Sequence, residues 1–297
     1  MATPRTRDAI LSAYFGSMAA SIWKLLPSID VEASRQNYTF MDMDVFNDLI
    51  RQNPERAQAI YWREMTLRIH LACCASLLRH ADWLDTLLLA IEHENFFGTL
   101  AACRGLLESA ADTFYSLGAV PKTLAPNLAL IRARIKEKPT DTIFLSKELE
   151  DALIHFSHGR KLRRNEAAEP VHAAKQMREY LDSLKRGGVS DVHDYYSELC
   201  SIAHPSAETV MLWFEAEKDG DQVVWRRSSD KHSARIDRFL LGWRETNELV
   251  VTAGFMPALM SLRILHKLDF LPKIPSLRLL PLEKMPAWKE LERHLRR

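Results

Sequence analysis

The chain has 297 residues, with 40 Lys and Arg against 39 Asp and Glu, a formal net charge of +1 and 47% hydrophobic residues. That length suffices for one large domain or two small ones with a substantial core. The near-zero balance excludes a global field that draws the protein to nucleic acid or acidic lipid, so any such binding needs a local patch.

None of the 10 glycines falls in a GxGxxG or GxxxxGK(S/T) pattern, which excludes the phosphate-cradling loops of dinucleotide folds and P-loop enzymes. Cys73, Cys74, Cys103 and Cys200 form no CxxC pair, and three of them lie in apolar runs. Free thiols in a reducing compartment are expected. Together with the segments below, this gives a cytoplasmic protein.

In chain order, residues 7–26 read as an amphipathic helix. Asp8 and the lack of a continuous apolar stretch separate this segment from a targeting peptide. A short helix follows Asp44. Asn53-Pro54 then supplies an N-cap with proline at the first helical position, opening a helix that continues or breaks near Asp82. Residues 84–118 form a long apolar helix. Gly118 to Pro126, with two prolines, reads as a loop.

Further helices are expected at 127–137, at 146–158 with Gly159 as C-cap, and at 170–186 before Gly187-Gly188. Ser190 caps the next helix, which stops at His204-Pro205 because a residue before proline avoids the α region. Segments 209–217 and 222–227 flank Lys218-Asp219-Gly220-Asp221, which has hairpin turn chemistry.

A long helix over 231–268 and a tail punctuated by Pro272, Pro275, Pro281 and Pro286 complete the chain. Leu249 to Leu262 is an uncharged run of 14 residues containing Pro257, too short to cross a bilayer. The fold class is therefore mainly α, a multi-helix bundle with one β-hairpin after His204-Pro205. It is read as a single helical domain over 1–297, with 119–190 a candidate inserted helical subdomain and 270–297 a proline-rich tail.

The most informative feature is the spacing of Arg104, Glu108 and Asp112 in the apolar helix. Steps of four put them on one face, each turned about 40° from the last. Charges on a helix that is otherwise apolar or small need a reason. Small residues (Gly98, Ala101, Ala102, Gly105, Ser109, Thr113) form one flank and let a neighbour approach closely. On one continuous helix, His93 falls within about 20° of Arg104. Arg104 then either forms a buried pair with Glu108 that holds helix register, or offers its guanidinium to an anion such as phosphate, oriented by Glu108.

A second constellation is Tyr196, Cys200 and His204, four apart on one helix face. A thiol beside an imidazole fits a nucleophile on paper, yet no oxyanion loop is visible nearby. His204 suits a general acid or base, or merely a turn. Asp151, His155 and His158 share a helix face without a fourth ligand, so no metal is expected. The basic run from His158 to Arg164 can contact phosphates, but Glu166 and Glu169 follow it at once, as in a solvated turn.

Arg104-x3-Glu108 followed by Tyr196-x2-Leu199-Cys200-x3-His204-Pro205 and a hairpin resembles a group of bacterial helical proteins regarded as HEPN-like. The match spans about 60–230, within a HEPN-like core of about 54–230. The resemblance implies RNA-cleaving toxins or phage-defence effectors, generally homodimers with the site at the dimer interface, or non-catalytic binding modules.

The ribonuclease signature of that superfamily, Arg then four to six residues then His, is missing before His204, where Ser197, Glu198 and Leu199 stand. It is met at Arg63/His70, at Arg186/His193, and at Arg226 or Arg227 before His232. The expected site is Arg104, Glu108, Tyr196 and His204, facing each other across a cleft. The expected ligand is RNA, a nucleotide or another phosphate-bearing group, with no cofactor and no membrane partner. The alternative is a helical interaction module whose charges lock the core.

Overall fold

The computed structural model describes residues 6–138, 143–203, 207–228 and 231–296. It is mainly α-helical, with twelve α-helices and one two-stranded hairpin among these residues. In order they are α1 (Arg7–Ser34), α2 (Met43–Gln52), α3 (Pro54–Glu92), α4 (Phe96–Leu117), α5 (Val120–Ile135), α6 (Lys147–His158), α7 (Met177–Arg186), α8 (Val192–Ala203) and α9 (Ala207–Met211). The hairpin strands β1 (Phe214–Asp219) and β2 (Gln222–Arg227) follow, then α10 (His232–Gly242), α11 (Arg244–Leu265) and α12 (Pro286–Leu295).

Local chemistry explains most boundaries. Asp42 caps α2, accepting from the backbone N–H of Asp44 and Val45. Asn53 accepts from Arg56 N at 3.1 Å ahead of Pro54, and Ser146 caps α6; each offers its side chain to an otherwise unpaired N–H. In the hairpin, Asp219 pairs with Gln222, and Gly220 adopts φ 59, the left-handed turn residue that a two-residue loop needs.

Several expected boundaries are corrected. The apolar stretch 84–118 is not one helix, because the chain turns at 93–95, where Asn95 Oδ1 accepts from Gly98 N at 2.9 Å and caps α4. His93 therefore lies outside α4 and shares no face with Arg104. Residues 118–126 are largely helical: Pro121 sits in the first turn of α5, where its missing N–H costs nothing, and Pro126 stays within the helix.

The 170–186 segment splits into a 3₁₀ turn at Pro170–His172 and α7, because the backbone of Arg160 pairs with His172 and Ala174 and pulls the intervening chain out of helix. The 231–268 helix breaks at Trp243. The first hairpin strand starts at Phe214, preceded by α9, and the tail contains two 3₁₀ turns and α12.

The chain divides into two compact units. The first comprises Met1–Trp23, Arg79–Ala111 and Met177–Thr252; the second comprises Lys24–Leu78, Asp112–Gln176 and Ala253–Arg297. In the first, Leu84, Leu87, Leu88, Leu107, Tyr195, Leu199 and Leu240 are buried. Arg7 anchors the start of α1 through Asp85 at 2.6 Å and Glu92 at 2.7 Å. Gly16 takes φ 83 and kinks α1, and the Glu248 side chain occupies the space where a Cβ would sit.

In the second unit, Trp62 is fully buried, donates its indole N–H to Phe144 O at 2.8 Å and stacks on Phe144 at 4.8 Å. Tyr61 Oη accepts from Ser146 N at 3.1 Å. Two polar anchors thus hold the segment before α6 against α3. By length and composition α1 and α11 could each cross a membrane, and 56% and 72% of their apolar windows are buried in the protein, as core helices are.

The second unit also contains a titratable cluster. His70 is fully buried, with Nδ1 2.7 Å from Tyr38 Oη and 3.7 Å from Cys74 Sγ. His266 Nε2 accepts from Ile274 N at 3.0 Å. Burial lowers both imidazoles to about 4, with Lys273, Arg263, His70 and Arg278 adding to the effect on His266. Buried and hydrogen-bonded, His70 is not placed as an exposed partner for Arg63, whose guanidinium lies over Phe270 at 5.1 Å.

Because the folded pKa lies below the unfolded one, the unfolded chain binds more protons between about 4 and 6.5, and stability falls as pH drops through that window. The loss approaches about 1.4 kcal/mol per pH unit for His70. Denaturant unfolding from pH 7 to pH 4.5 should show this slope, and His70→Gln should flatten it. An unchanged slope in that variant would place the titration elsewhere.

Candidate functional site

The first unit brings three of the four expected residues together. Arg104 and Glu108 lie one turn apart on α4, and Tyr196 projects from α8. Arg104 Nε donates to Glu108 Oε1 at 2.8 Å. Tyr196 Oη donates to the same carboxylate oxygen at 3.1 Å and lies 3.4 Å from Arg104 Nη2. The guanidinium also sits 5.5 Å from the Tyr196 ring centroid, within cation–π range. His204 lies outside the described residues. Asp112 is half-buried and belongs to a segment of the second unit, so the three-charge stripe divides between the units.

The charges are not interior. The side chains of Arg104 and Glu108 keep 27% and 34% of their exposure. The buried stripe of α4 is instead Leu100, Cys103, Leu106, Leu107, Ala110 and Ala111. A surface interrupted by small residues looks apolar all round in sequence, whereas in the fold one edge of α4 reaches solvent. Of the small flank, Gly105 admits a side chain rather than a backbone: the Trp83 indole fills the space a Cβ would need.

The Glu108 hydrogen bond raises the Arg104 pKa above its ordinary value. Desolvation, followed by the Cys200 hydrogen bond and the Glu108 charge, pushes the Tyr196 phenol up to about 12. At neutral pH the guanidinium is charged and the hydroxyl protonated, with the Arg104 Nε–H and the Tyr196 O–H both donated to Glu108. Burial raises the Cys103 thiol to about 12, so it stays protonated as a packing group.

The rotation of α8 is set one residue earlier. Tyr195 is 1% exposed and donates to Asn247 Oδ1 at 2.6 Å, and Asn247 Nδ2 donates to Leu240 O at 3.3 Å. The Tyr195 ring packs on Phe239 and Trp243 at 6.0 and 5.0 Å.

Two other polar groupings of the sequence have local, structural partners. His155 pairs its Nδ1 with Val171 O at 3.0 Å, and no group of three His, Cys, Asp or Glu could hold a metal ion among the described residues. The basic run after His158 forms an exposed turn in which Glu166 pairs with Arg160 and accepts from Arg163 N.

An open cleft of about 390 Å³ went unforeseen; Phe96, Glu198, Glu215, Arg235, Phe239 and Trp243 are among its lining. Trp243 donates its indole N–H to Glu198 Oε2 at 2.8 Å. Its residues come from α4, α8, α9, the hairpin, α10 and the break after α10, and no single spacing signals them. Glu198, two residues after Tyr196, lies on the opposite side of α8.

Comparison with protein-family models, with curated proteins and with solved structures finds no match to this chain.

Replacing Tyr195 by Phe leaves Asn247 Oδ1 without its buried donor, which should cost about 1–3 kcal/mol. Thermal unfolding of Tyr195→Phe measures this, and a wild-type midpoint would show that packing alone orients α8.

Proposed function

We propose that this chain is a HEPN-like cytoplasmic protein that binds RNA or another phosphate-bearing ligand through Arg104, with Glu108 and Tyr196 as positioning residues. The observation that carries the reading is the mutual hydrogen bonding of the three side chains at an edge that solvent reaches. Glu108 holds the guanidinium plane in place, and Arg is suited to phosphate because its planar donors match two oxygens at once. Tyr196 donates its O–H to Glu108 and sets its ring beside the guanidinium. Cleavage of RNA would also require a proton acceptor, the part that the sequence gives to His204.

A non-catalytic interaction module is the second reading. It is favoured by the Arg104 Nε–H being already committed to Glu108, as in a pair that fixes helix register.

Arg104→Ala separates the two. The pair is part-exposed, so its loss should cost no more than about 1 kcal/mol of stability. Affinity for a labelled single-stranded RNA should fall about tenfold or more, since a charged hydrogen bond to phosphate is lost. Fluorescence anisotropy beside a thermal melt reads both quantities. Unchanged RNA affinity with a folded protein would reject the ligand reading, and a large loss of stability would favour the structural one.

A further inference from the structure

The β-hairpin is exposed along its whole length. All six residues of β1 are exposed, as are five of six in β2. A two-stranded ribbon that buries neither face gains little stability of its own, so the character of each face is informative.

Register and alternation sort the side chains. Phe214 pairs with Arg227, Ala216 with Trp225 and Lys218 with Val223 on one face; Glu215 pairs with Arg226, Glu217 with Val224 and Asp219 with Gln222 on the other. All three acids thus share the second face, where Glu217 pairs with Arg226 at 2.9 Å and Glu215 accepts from Ser228. The first face has two cations and no acid. Neither Lys218 nor Arg227 has an ion-pair partner among the described residues.

That first face also exposes aromatic rings: Phe214 is 45% exposed and Trp225 49%. Exposed rings of this size mark an interaction surface when they are grouped rather than scattered. Ala216 opposite Trp225 leaves the indole uncovered. Phe214 is the diagonal neighbour of Trp225, about 7–8 Å away across the strands, so each ring can take one base. Arg227 and Lys218 lie at the two ends of this row. The ribbon is anchored at its base, where Trp213 stacks on Phe97 at 6.1 Å and Arg235 donates to Ser228 Oγ at 2.9 Å.

We infer that the Phe214–Trp225 face of the hairpin is a stacking platform for single-stranded RNA, with Lys218 and Arg227 contacting its phosphates. Aromatic rings beside unpaired cations are the combination that holds single strands, because every base offers a π-face and every phosphate a charge. A single strand matches both features at once, a base for each ring and a phosphate for each cation. The inference deepens the phosphate-ligand reading by naming the ligand class and adding a second contact surface in the same unit; it remains testable if Arg104 proves irrelevant.

The test is anisotropy titration of the full chain with a labelled 12-nucleotide oligouridine. Phe214→Ala and Trp225→Ala should each weaken binding about tenfold, and Trp225→Phe should recover most of the loss. The double variant Lys218→Gln/Arg227→Gln should lower the dependence of log K on log salt by about 1.4, at about 0.7 per phosphate on a single strand. Glu217→Gln on the opposite face should not weaken binding. Circular dichroism checks that each variant is folded.

Wild-type affinity in Phe214→Ala and Trp225→Ala would overturn the inference. So would equal competition by inorganic polyphosphate in wild type and Trp225→Ala, which would mean that charge alone binds. Loss of self-association in Trp225→Ala with RNA affinity intact would assign the face to a second copy of the chain and also overturn it. If Arg104→Ala binds normally while Trp225→Ala does not, the Arg104 site fails and the hairpin platform stands. With the opposite pattern the platform fails and the Arg104 site stands.

Discussion

The hydrogen bond from Tyr195 to Asn247 governs what α8 can present to the rest of its unit. Tyr195 is buried among Phe239, Trp243 and Cys103, and its phenol is held far above its ordinary pKa by burial first and the neighbouring Cys103 second. Asn247 is 2% exposed, so the phenol has one strong partner and a single favourable rotation for the helix. Successive side chains on a helix are turned by about 100°. Once Tyr195 points inward, Tyr196 must fall beside α4 and Glu198 on the side of the cleft. One buried bond thereby determines two surfaces.

Each unit has both buried and exposed polar groups, and the buried ones hold its packing. In the second, the Trp62 indole and the His70 imidazole are buried, and their hydrogen bonds hold neighbouring segments to α3. Leaving such a donor or acceptor unpaired costs more than the bond itself contributes, which makes these positions structural. In the first unit, Arg104, Glu108, Tyr196, Lys218 and Arg227 all keep contact with solvent. Exposed or part-exposed charges add little to stability, so folding alone gives little reason for their grouping. Ligand contact is therefore proposed at these part-exposed groups, and a mainly structural part at buried ones such as the His70 cluster.

Much of this architecture could be read from local chemistry. Asn53-Pro54, Ser146 with Gly159, and the turn around Gly220 each carry their signal within four residues, and the boundaries follow. The Arg104–Glu108–Tyr196 grouping was legible for another reason: i,i+4 spacing fixes Arg104 against Glu108, and the paired motifs pointed to Tyr196. The break at Asn95 was missed because the apolar pattern continues across it while one side-chain cap redirects the chain. The charges of α4 were misjudged as interior because periodicity does not say which edge of a central helix meets solvent. The cleft was invisible, since its lining is assembled from several elements with no common spacing. The polarity of the hairpin faces was present in the alternation of Phe214 to Asp219, but it needed the register to show that every acid lies on one side.

Photo-crosslinking tests most directly whether the first unit carries the RNA contacts. Full-length protein is irradiated with a 4-thiouridine-substituted single-stranded RNA, and the modified residues are mapped by mass spectrometry. Crosslinks are expected on the peptides carrying Tyr196 and on those carrying Phe214 and Trp225, lost on adding excess unlabelled RNA. Crosslinks confined to the second unit, or none at RNA concentrations that saturate binding, would contradict that assignment.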